Sequence, residues 1–165
     1  MLTLRKMVAA ASGLAMGASL LAATPAFAAS SGASTNMKAT AYGPSAQDNY
    51  PYGATNYFGQ PLTSGDIAVD PSVIPLGSCV KITGYHSPNL PQGGFIAEAN
   101  DEGNAIQGKH IDIFLNVSES LVNKFGVQHV HVKILGPKSG NSSVSGTAAC
   151  SAYALGASGG NSHSA

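Results

Sequence analysis

The sequence is poor in charge and in cysteine, and it has no tryptophan. Charged residues make up 10% of its 165 residues, and eight basic residues formally balance eight acidic ones. Because nucleic acids and anionic lipid surfaces are bound through basic faces, this balance argues against both as partners. The two cysteines do not form a Cys-x-x-Cys pair, which argues against a structural zinc site.

The first 28 residues have the composition of a secretory signal peptide. Arg5 and Lys6 form a positive start, and an uncharged stretch rich in Ala, Gly and Leu follows. A proline and an Ala-x-Ala triplet then end at Ala28, where we place the cleavage. The alternative is a transmembrane anchor, but a spanning helix needs about twenty strongly apolar residues. We therefore expect a protein secreted to the periplasm or cell envelope, without membrane insertion after cleavage.

Cleavage at this point leaves residues 29–165, enough for one domain, and makes the chain mildly acidic because Arg5 and Lys6 are lost. Cys79 and Cys150 both remain. An even number of cysteines in an oxidising compartment predicts a disulfide, and this one would tie the C-terminal tail to the domain. Two free thiols are the alternative.

The exported chain is predicted to be one β-rich domain between disordered ends. Residues 29–35 are small and polar and predict a disordered lead-in, the domain is expected over 36–136, and a Ser/Gly/Ala-rich tail at 137–165 is too poor in apolar residues to fold alone. Short alternating or β-branched segments predict about six strands, and a short helix begins after Ser118 and ends at Gly126. This pattern is typical of a compact barrel.

Three aspartates stand at strand ends or turns in apolar surroundings. Asp70 follows Ile-Ala-Val, Asp101 follows Ile-Ala-Glu-Ala-Asn, and Asp112 lies inside His-Ile-Asp-Ile-Phe. Burial among aliphatic side chains raises the pKa of a carboxyl group, which suits a general acid. The alternative is that these aspartates accept backbone N–H groups at turns, as aspartates commonly do. Spacing alone leaves both interpretations open.

The order of residues around these aspartates resembles the 3D domain, a family named for its three aspartates. Segment 67–78, Ile-Ala-Val-Asp-Pro-Ser-Val-Ile-Pro-Leu-Gly-Ser, resembles the first signature of the family. Segment 99–112 resembles the second, usually written A-x-D-T-G-G-A-I-K-G-x-x-I-D, with the same separation of 11 positions between Asp101 and Asp112. Thr40-Ala41-Tyr42 is similar to the strand that opens these domains, and 130–135 resembles the strand that closes them.

The resemblance implies a mostly β fold, a six-stranded double-psi β-barrel with one or two short helices. The C-terminal part of membrane-bound lytic transglycosylase A has the same barrel, and expansins are more distant relatives, to whose His-Phe-Asp signature the segment 110–112 is similar. Glu102, Asn104 and Gln107 depart from the Thr, Gly and Lys that are usual in the family. They border the expected cleft, so they concern substrate detail more than the fold.

The resemblance further implies a lytic transglycosylase-type enzyme that cleaves the glycosidic bonds of peptidoglycan during its turnover. In that reaction the 6-hydroxyl of the MurNAc sugar closes onto C1, and one carboxyl group serves first as acid and then as base, unlike the two-carboxylate scheme of most glycosidases. Asp112 would be this acid/base, Asp101 would stabilise the developing charge, and Asp70 would hold the cleft. The residues expected at the substrate are Thr40, Tyr42, Gly103 and His110. We expect no metal or other cofactor, and a monomer whose partner is peptidoglycan or a similar polysaccharide.

Three alternatives remain open. A non-catalytic expansin-like module would bind and loosen polysaccharide with the same barrel, and an ordinary hydrolase would leave free reducing ends. His129 and His131, together with His110, would be candidates for a metal site, although exposed histidines on an edge strand are the more common case.

A long loop at residues 43–64, rich in Gly, Pro, Asn and Tyr, interrupts the domain. Loops of this length inside compact domains are uncommon and usually functional. Two interpretations are open for its aromatic residues: they stack on sugar rings, or they pin the loop to the domain. The residues concerned are Tyr50, Tyr52, Tyr57 and Phe58.

Overall fold

The computed structural model describes residues 32–138 and 145–154. The expected signal peptide, the start of the lead-in and the remaining parts of the tail lie outside the described residues. Six strands, two short α-helices and a 3₁₀ turn at Gly146–Cys150 are formed within these ranges. The elements are β1 (Ser34–Tyr42), β2 (Asp66–Val69), β3 (Ser78–Thr83), β4 (Phe95–Asp101), β5 (His110–Phe114), α1 (Glu119–Asn123), β6 (Gln128–Pro137) and α2 (Ser151–Ala154).

The six strands close into a barrel in the order β1-β5-β2-β4-β3-β6. Two pairs, β1 with β5 and β2 with β4, are parallel, and the other four pairs are antiparallel. Parallel neighbours cannot be joined by a tight hairpin, so several connections have to cross the ends of the barrel. The loop between β1 and β2 crosses in this way, because β5 lies between these two strands. The predicted mostly β, closed six-stranded barrel is therefore confirmed.

Alternation along the strands fills the barrel with aliphatic side chains. Ile111 and Ile113 of β5 point inward and are fully buried, as are Ile67 and Val69 of the neighbouring strand β2. Successive side chains of a strand point to opposite faces, so His110, Asp112 and Phe114 lie on the outer face of the same strand. The core thus determines which residues of β5 are available to form a site.

Two element boundaries differ from those expected. β1 begins at Ser34, so the last two residues of the expected lead-in belong to the barrel, because they pair with Lys133 and Val132 of β6. β6 in turn continues to Pro137, which pairs with Ser78 of β3. In both cases the strand is extended by backbone pairing with a strand that is distant in sequence. The side chains of these residues do not indicate this pairing.

Residues 145–154 of the tail pack against the barrel. The 3₁₀ turn and α2 form a C-terminal segment, residues 145–154, that packs on β4 and β2. The predicted disulfide between Cys79 and Cys150 is confirmed, with the two Cα atoms 5.6 Å apart. At Gly146 the backbone has φ 66°, and a Cβ atom there would lie 2.5 Å from the Ser64 carbonyl oxygen. Glycine is therefore needed for this close approach.

A buried carboxylate, Glu98 of β4, anchors this segment. Its Oε2 accepts the N–H of Gly146 at 2.8 Å, and Lys138 Nζ lies 2.8 Å from Oε1 as an ion pair without ideal hydrogen-bond angles. Asn100, also fully buried, donates its amide to Asp66 Oδ1 at 2.8 Å and to Glu98 Oε2 at 3.2 Å. The outer face of β4 and β2 is therefore polar, and the tail supplies part of its hydrogen bonding.

Removing the disulfide should release the C-terminal segment and destabilise the barrel. The bridge spans 71 positions, and closing a loop of that size stabilises by about 2–4 kcal/mol. We expect the double variant Cys79→Ala/Cys150→Ala to lose this amount in urea unfolding, and reduced wild type to unfold at the same urea midpoint as the variant. An unchanged urea midpoint in both would show that the bridge contributes nothing to the free energy of unfolding.

Candidate active site

A row of residues across four neighbouring strands forms the candidate site. Thr40 of β1 is paired with Asp112 of β5, and Asp112 is paired with Ala68 of β2. Ala68 is paired on its other side with Asp101 of β4. Neighbouring strands are about 4.8 Å apart, so the backbones of Asp101 and Asp112 are two strand spacings apart and only the methyl group of Ala68 stands between them.

A β-bulge brings Asp101 into this row. Ile67 pairs with Ala99, but the next residue of β2, Ala68, pairs with Asp101, so that Asn100 is skipped. Regular alternation would have put Asp101 on the same face as the core residue Ala99. The extra residue turns Asp101 toward the outer face, and bulges commonly re-aim side chains in this way.

Ala68, Asp101 and Asp112 of this row form the floor of a cleft of about 820 Å³ between the 43–64 loop and the turn that follows β4. Asp70, Asp101 and Asp112 all line this cleft, so the three aspartates meet at one place although 31 and 11 positions separate them in sequence. Tyr42 and Gly103 line it as well. The two other residues expected at the substrate, Thr40 and His110, lie behind Asp112 and away from the cleft surface.

Asp112 is half-buried and accepts a hydrogen bond from the Thr40 hydroxyl at 2.6 Å on Oδ1. Burial raises the pKa of this carboxyl group to about 6, and the negative charges of Asp48 and Asp101 act in the same direction. The Thr40 hydrogen bond and the positive charge of Lys38 oppose the rise. A fraction of Asp112 is therefore protonated near neutral pH, which is what a general acid requires.

Asp101 shares a hydrogen bond with Tyr42, whose hydroxyl donates to Oδ2 at 2.8 Å. Burial raises the pKa of Asp101, and the Tyr42 hydrogen bond opposes this. Burial and the Asp101 charge together raise the pKa of Tyr42 far above its ordinary value. Tyr42 consequently stays a neutral phenol that holds Asp101 in place, and its ring packs edge-on against Phe114 at 5.4 Å.

Asp70 is hydrogen-bonded in a different way from the other two aspartates. Its Oδ1 accepts the hydroxyl and the N–H of Ser72 at 2.6 and 2.9 Å, and its Oδ2 accepts the N–H of Gly108 at 2.6 Å. The Ser72 hydroxyl, followed by the Gly108 N–H, lowers the pKa of this carboxyl group. Asp70 is thus an ionised residue that ties the turn after β2 to the loop before β5.

His110 is only 8% exposed, and its Nε2 lies 3.0 Å from Thr40 Oγ1. Burial lowers the pKa of the ring, the positive charge of Lys38 lowers it further, and a backbone hydrogen bond at Ala105 acts in the opposite direction. The imidazole is therefore neutral at pH 7. Thr40 is the side-chain partner of Nε2, and the expected direct contact of His110 with substrate stays a prediction.

Two residues of the site were not singled out from the sequence. Asp48, in the loop, lines the cleft and accepts the Gly43 N–H at 2.8 Å. Ala68 provides the small side chain between the two floor aspartates. The loop was already a functional candidate, so an acidic residue within it was a usable signal for Asp48. Ala68 gave no such signal, because its place depends on strand pairing.

The loop aromatics fall into two groups. Tyr50 and Tyr52 are each 85% exposed and line the cleft, so they do not pin the loop to the domain. Phe58 packs edge-on against Tyr57 and lies 5.4 Å from Lys138 Nζ. Buried Asn56 anchors this part of the loop, since its Oδ1 accepts the N–H groups of residues 58 and 60.

In residues 32–138 and 145–154 no three His, Cys, Asp or Glu side chains are placed to hold a metal ion. His129 and His131 are exposed on β6, whereas His110 is buried on β5. No helix in the same ranges has the length and apolar character needed to span a membrane.

A family model described as the 3D domain matches residues 66–136. The resemblance to the 3D domain is therefore confirmed over these residues. The match includes Asp70, Asp101 and Asp112, while β1, which carries Thr40 and Tyr42, precedes it and completes the barrel.

Two relatives of the 3D domain come from Bacillus subtilis (strain 168). The cell wall-binding protein YocH is 46% identical over 69 residues, which are 42% of this chain and 21% of that protein. The putative cell wall shaping protein YabE is 45% identical over 69 residues, 42% of this chain and 14% of that protein. The chain thus spans about a fifth or less of the length of these relatives.

Solved structures of lytic transglycosylases are similar over about half of the chain. MltA from Escherichia coli is 23% identical with a TM-score of 0.43, covering 50% of this chain and 27% of that one. LtgG of Burkholderia pseudomallei is 32% identical with a TM-score of 0.38, covering 48% of this chain and 25% of that one.

The raised pKa of Asp112 has a consequence for stability. A carboxyl group whose pKa is higher in the folded than in the unfolded state takes up protons on folding. The free energy of unfolding therefore falls as pH rises from about 4, the ordinary pKa of aspartate, to about 6, the pKa of Asp112 in the fold. We expect Asp112→Asn to increase the free energy of unfolding at pH 7 by about 1–3 kcal/mol, and to leave it nearly unchanged at pH 4. Urea unfolding at both pH values measures this.

Asp70→Asn is the matched control for this measurement. The pKa of Asp70 is lowered, so its ionised form stabilises the fold and the variant should be less stable than wild type at pH 7. Loss of stability in Asp112→Asn at pH 7, or an equal gain at pH 4, would contradict the raised pKa.

Proposed function

We propose that this protein binds glycan strands of the bacterial cell wall in the cleft and cleaves a glycosidic bond there, as a lytic transglycosylase does, with Asp112 as acid and base. The observation that carries the proposal is the half-buried carboxyl group of Asp112, whose pKa is raised to about 6 on the floor of an open cleft. The two relatives described as cell wall-binding and cell wall shaping support the choice of polymer. Such a polymer requires export, as the N-terminal sequence predicts.

In the proposed reaction a protonated Asp112 donates its proton to the glycosidic oxygen while the bond from C1 to that oxygen breaks. Asp101, held by Tyr42, stabilises the positive charge that develops at C1. The 6-hydroxyl oxygen of the same sugar then bonds to C1, and its proton returns to Asp112. One 1,6-anhydro end and one free hydroxyl are formed, and no water is consumed.

The exposed tyrosines suit a polysaccharide. Tyr50 and Tyr52 keep 85% of their surface exposed at the edge of the cleft, where their rings are free to stack on the apolar faces of sugar rings. Such exposure of two large aromatic side chains at one place is typical of a binding surface. We propose that these rings bind the sugar units beyond the one that reacts.

A second candidate is a binding module without turnover. The same exposed tyrosines favour it, because stacking alone retains a glycan, and both curated relatives are described by binding or shaping and not by cleavage. Product analysis distinguishes the two candidates.

We expect Asp112→Asn to reduce anhydro-product release by about 10²–10⁴-fold, the usual contribution of a general acid–base group, while glycan binding is kept. Asp101→Asn should reduce release less, because Asp101 stabilises charge and does not transfer the proton. Mass spectrometry of the soluble products of a peptidoglycan digest measures both, with Glu119→Gln on the exposed side of α1 as the control variant.

Three results would contradict this assignment. Undiminished release by folded Asp112→Asn would show that another group is the acid. Products with free reducing ends would indicate a hydrolase. Binding of several peptidoglycans by wild type without any release would establish the binding module.

The charge of the cleft predicts which glycans bind best. Five of its described lining residues are acidic and none is Lys or Arg. Glycans with free amino groups should therefore bind more tightly than neutral ones, and strands with free carboxylates least tightly. The acidic residues concerned are Asp48, Asp70, Asp101, Glu102 and Asp112.

Calorimetry with chitooligosaccharides, their N-deacetylated forms and peptide-free peptidoglycan strands tests this order. Added salt should narrow the differences, because exposed charges are screened beyond about 10 Å at 0.1 M salt. Glu102→Gln, at the edge of the cleft, should reduce the differences in affinity between these glycans, because one of the five acidic groups loses its charge. The predicted order of affinities would be contradicted if the carboxylate-bearing strands bound most tightly at low salt.

A further inference from the structure

We propose that His110 is a positioning residue, which through Thr40 fixes the hydrogen-bond direction at Asp112 and leaves Oδ2 as the oxygen that carries the transferable proton. The inference concerns the same site and rests on the proposed function for its catalytic meaning. It assigns His110 and Thr40 a role behind the carboxyl group instead of the direct contact with substrate that the family resemblance implies.

The three side chains are aligned by the parallel pairing of β1 and β5. Thr40 is paired with Asp112, and Lys38 is paired with His110 two residues earlier on both strands. Side chains two residues apart share a face, so His110 and Asp112 both lie beside Thr40. Thr40 Oγ1 is 2.6 Å from Asp112 Oδ1 and 3.0 Å from His110 Nε2.

A hydroxyl group has one hydrogen, which limits how these two contacts are made. An ionised carboxylate only accepts hydrogen bonds, so the Thr40 hydrogen is donated to Asp112, in agreement with the short distance. The Thr40 oxygen then accepts from His110, and Nε2 carries the single hydrogen of the neutral ring. The chain of hydrogen bonds therefore runs in one direction, from His110 Nε2–H through Thr40 to Asp112 Oδ1. The backbone group at Ala105 that also interacts with the ring competes with Thr40 for this ring hydrogen.

The surroundings keep His110 neutral, so that it carries a single ring hydrogen. The ring is 8% exposed and faces Lys38 of β1. Both its burial and the charge of Lys38 disfavour a positive charge on the imidazole ring. The other charged groups near the chain are Asp48 of the loop and Asp101 of β4, on the far side of Asp112. His129 of β6 is paired with Lys38 but is exposed.

The direction of the chain has a consequence for proton transfer. With Oδ1 occupied by the Thr40 hydrogen, a proton that binds Asp112 is placed on Oδ2. After the proton has left, the same chain stabilises the carboxylate. His110 thus acts on the acid through Thr40 and does not itself donate or accept the transferred proton.

Nitrogen NMR of the substrate-free protein tests the direction of the chain. We expect the ¹⁵N shifts of His110 at pH 7 to be those of a neutral ring with its hydrogen on Nε2. A neutral ring with the hydrogen on Nδ1, or a charged ring at pH 7, would overturn the proposal. This measurement needs no variant.

Carboxyl ¹³C titrations of Asp112 test the coupling. Thr40→Val replaces the hydroxyl by a methyl group of the same shape and should raise the pKa of Asp112 by about one unit, since one charge-assisted hydrogen bond is lost. Thr40→Ser should keep the wild-type value. His110→Gln, which retains an N–H donor, should shift the pKa less than His110→Leu. An unchanged Asp112 pKa in folded Thr40→Val would overturn the proposal.

These readouts are independent of cleavage. If the protein binds glycan without cleaving it, the proposed enzymatic function is contradicted. The NMR measurements of His110 and Asp112 still test the direction of the hydrogen bonds and their effect on the Asp112 pKa. If it cleaves, activity should decline with rising pH as Asp112 loses its proton, and in Thr40→Val this decline should move upward by the same unit as the titration.

Discussion

The parallel pairing of β1 with β5 is the constraint on which the candidate site depends. It places Thr40 beside Asp112 and Tyr42 beside Phe114 on the outer face, while Ala39, Ile111 and Ile113 fill the barrel behind them. A shift of one residue would exchange the two faces. The aliphatic core therefore fixes the position of the Asp112 carboxyl group, because burying Ile111 and Ile113 leaves this side chain no other direction in which to point.

Three aspartates of one chain are placed in three electrostatic environments. Asp70 accepts three hydrogen bonds at an accessible turn and is held ionised, whereas Asp112 accepts one and is half-buried, so that its proton is retained to higher pH. Asp101 is intermediate, with burial opposed by the Tyr42 hydroxyl. Burial and hydrogen-bond donors together separate the structural aspartate from the candidate acid: burial is the largest influence at Asp101 and Asp112, and the donors are the largest influence at Asp70.

Buried polar residues next to Asp101 on the outer face of β4 stabilise this arrangement. Glu98 and Asn100 are fully buried and lie next to the bulge that turns Asp101 outward. Isolated buried carboxylates are costly, and here Gly146 and Lys138 supply the donor and the charge. The tail, held by the Cys79–Cys150 bridge, thus supports the strand from which Asp101 projects. The site and the C-terminal segment therefore depend on the same strand.

The sequence by itself determined the class of fold, the three aspartates and the disulfide, because alternation, turn residues, paired signatures and an even cysteine count are local or compositional signals. Only the tertiary structure decided that Asp101 reaches the cleft through a bulge, that Ala68 separates it from Asp112, that Asp48 adds its charge, and that His110 lies behind Thr40. These features depend on which strands become neighbours and in what register. Strand order in a barrel is set by contacts between segments that are distant in sequence, and a single amino-acid sequence does not show these contacts.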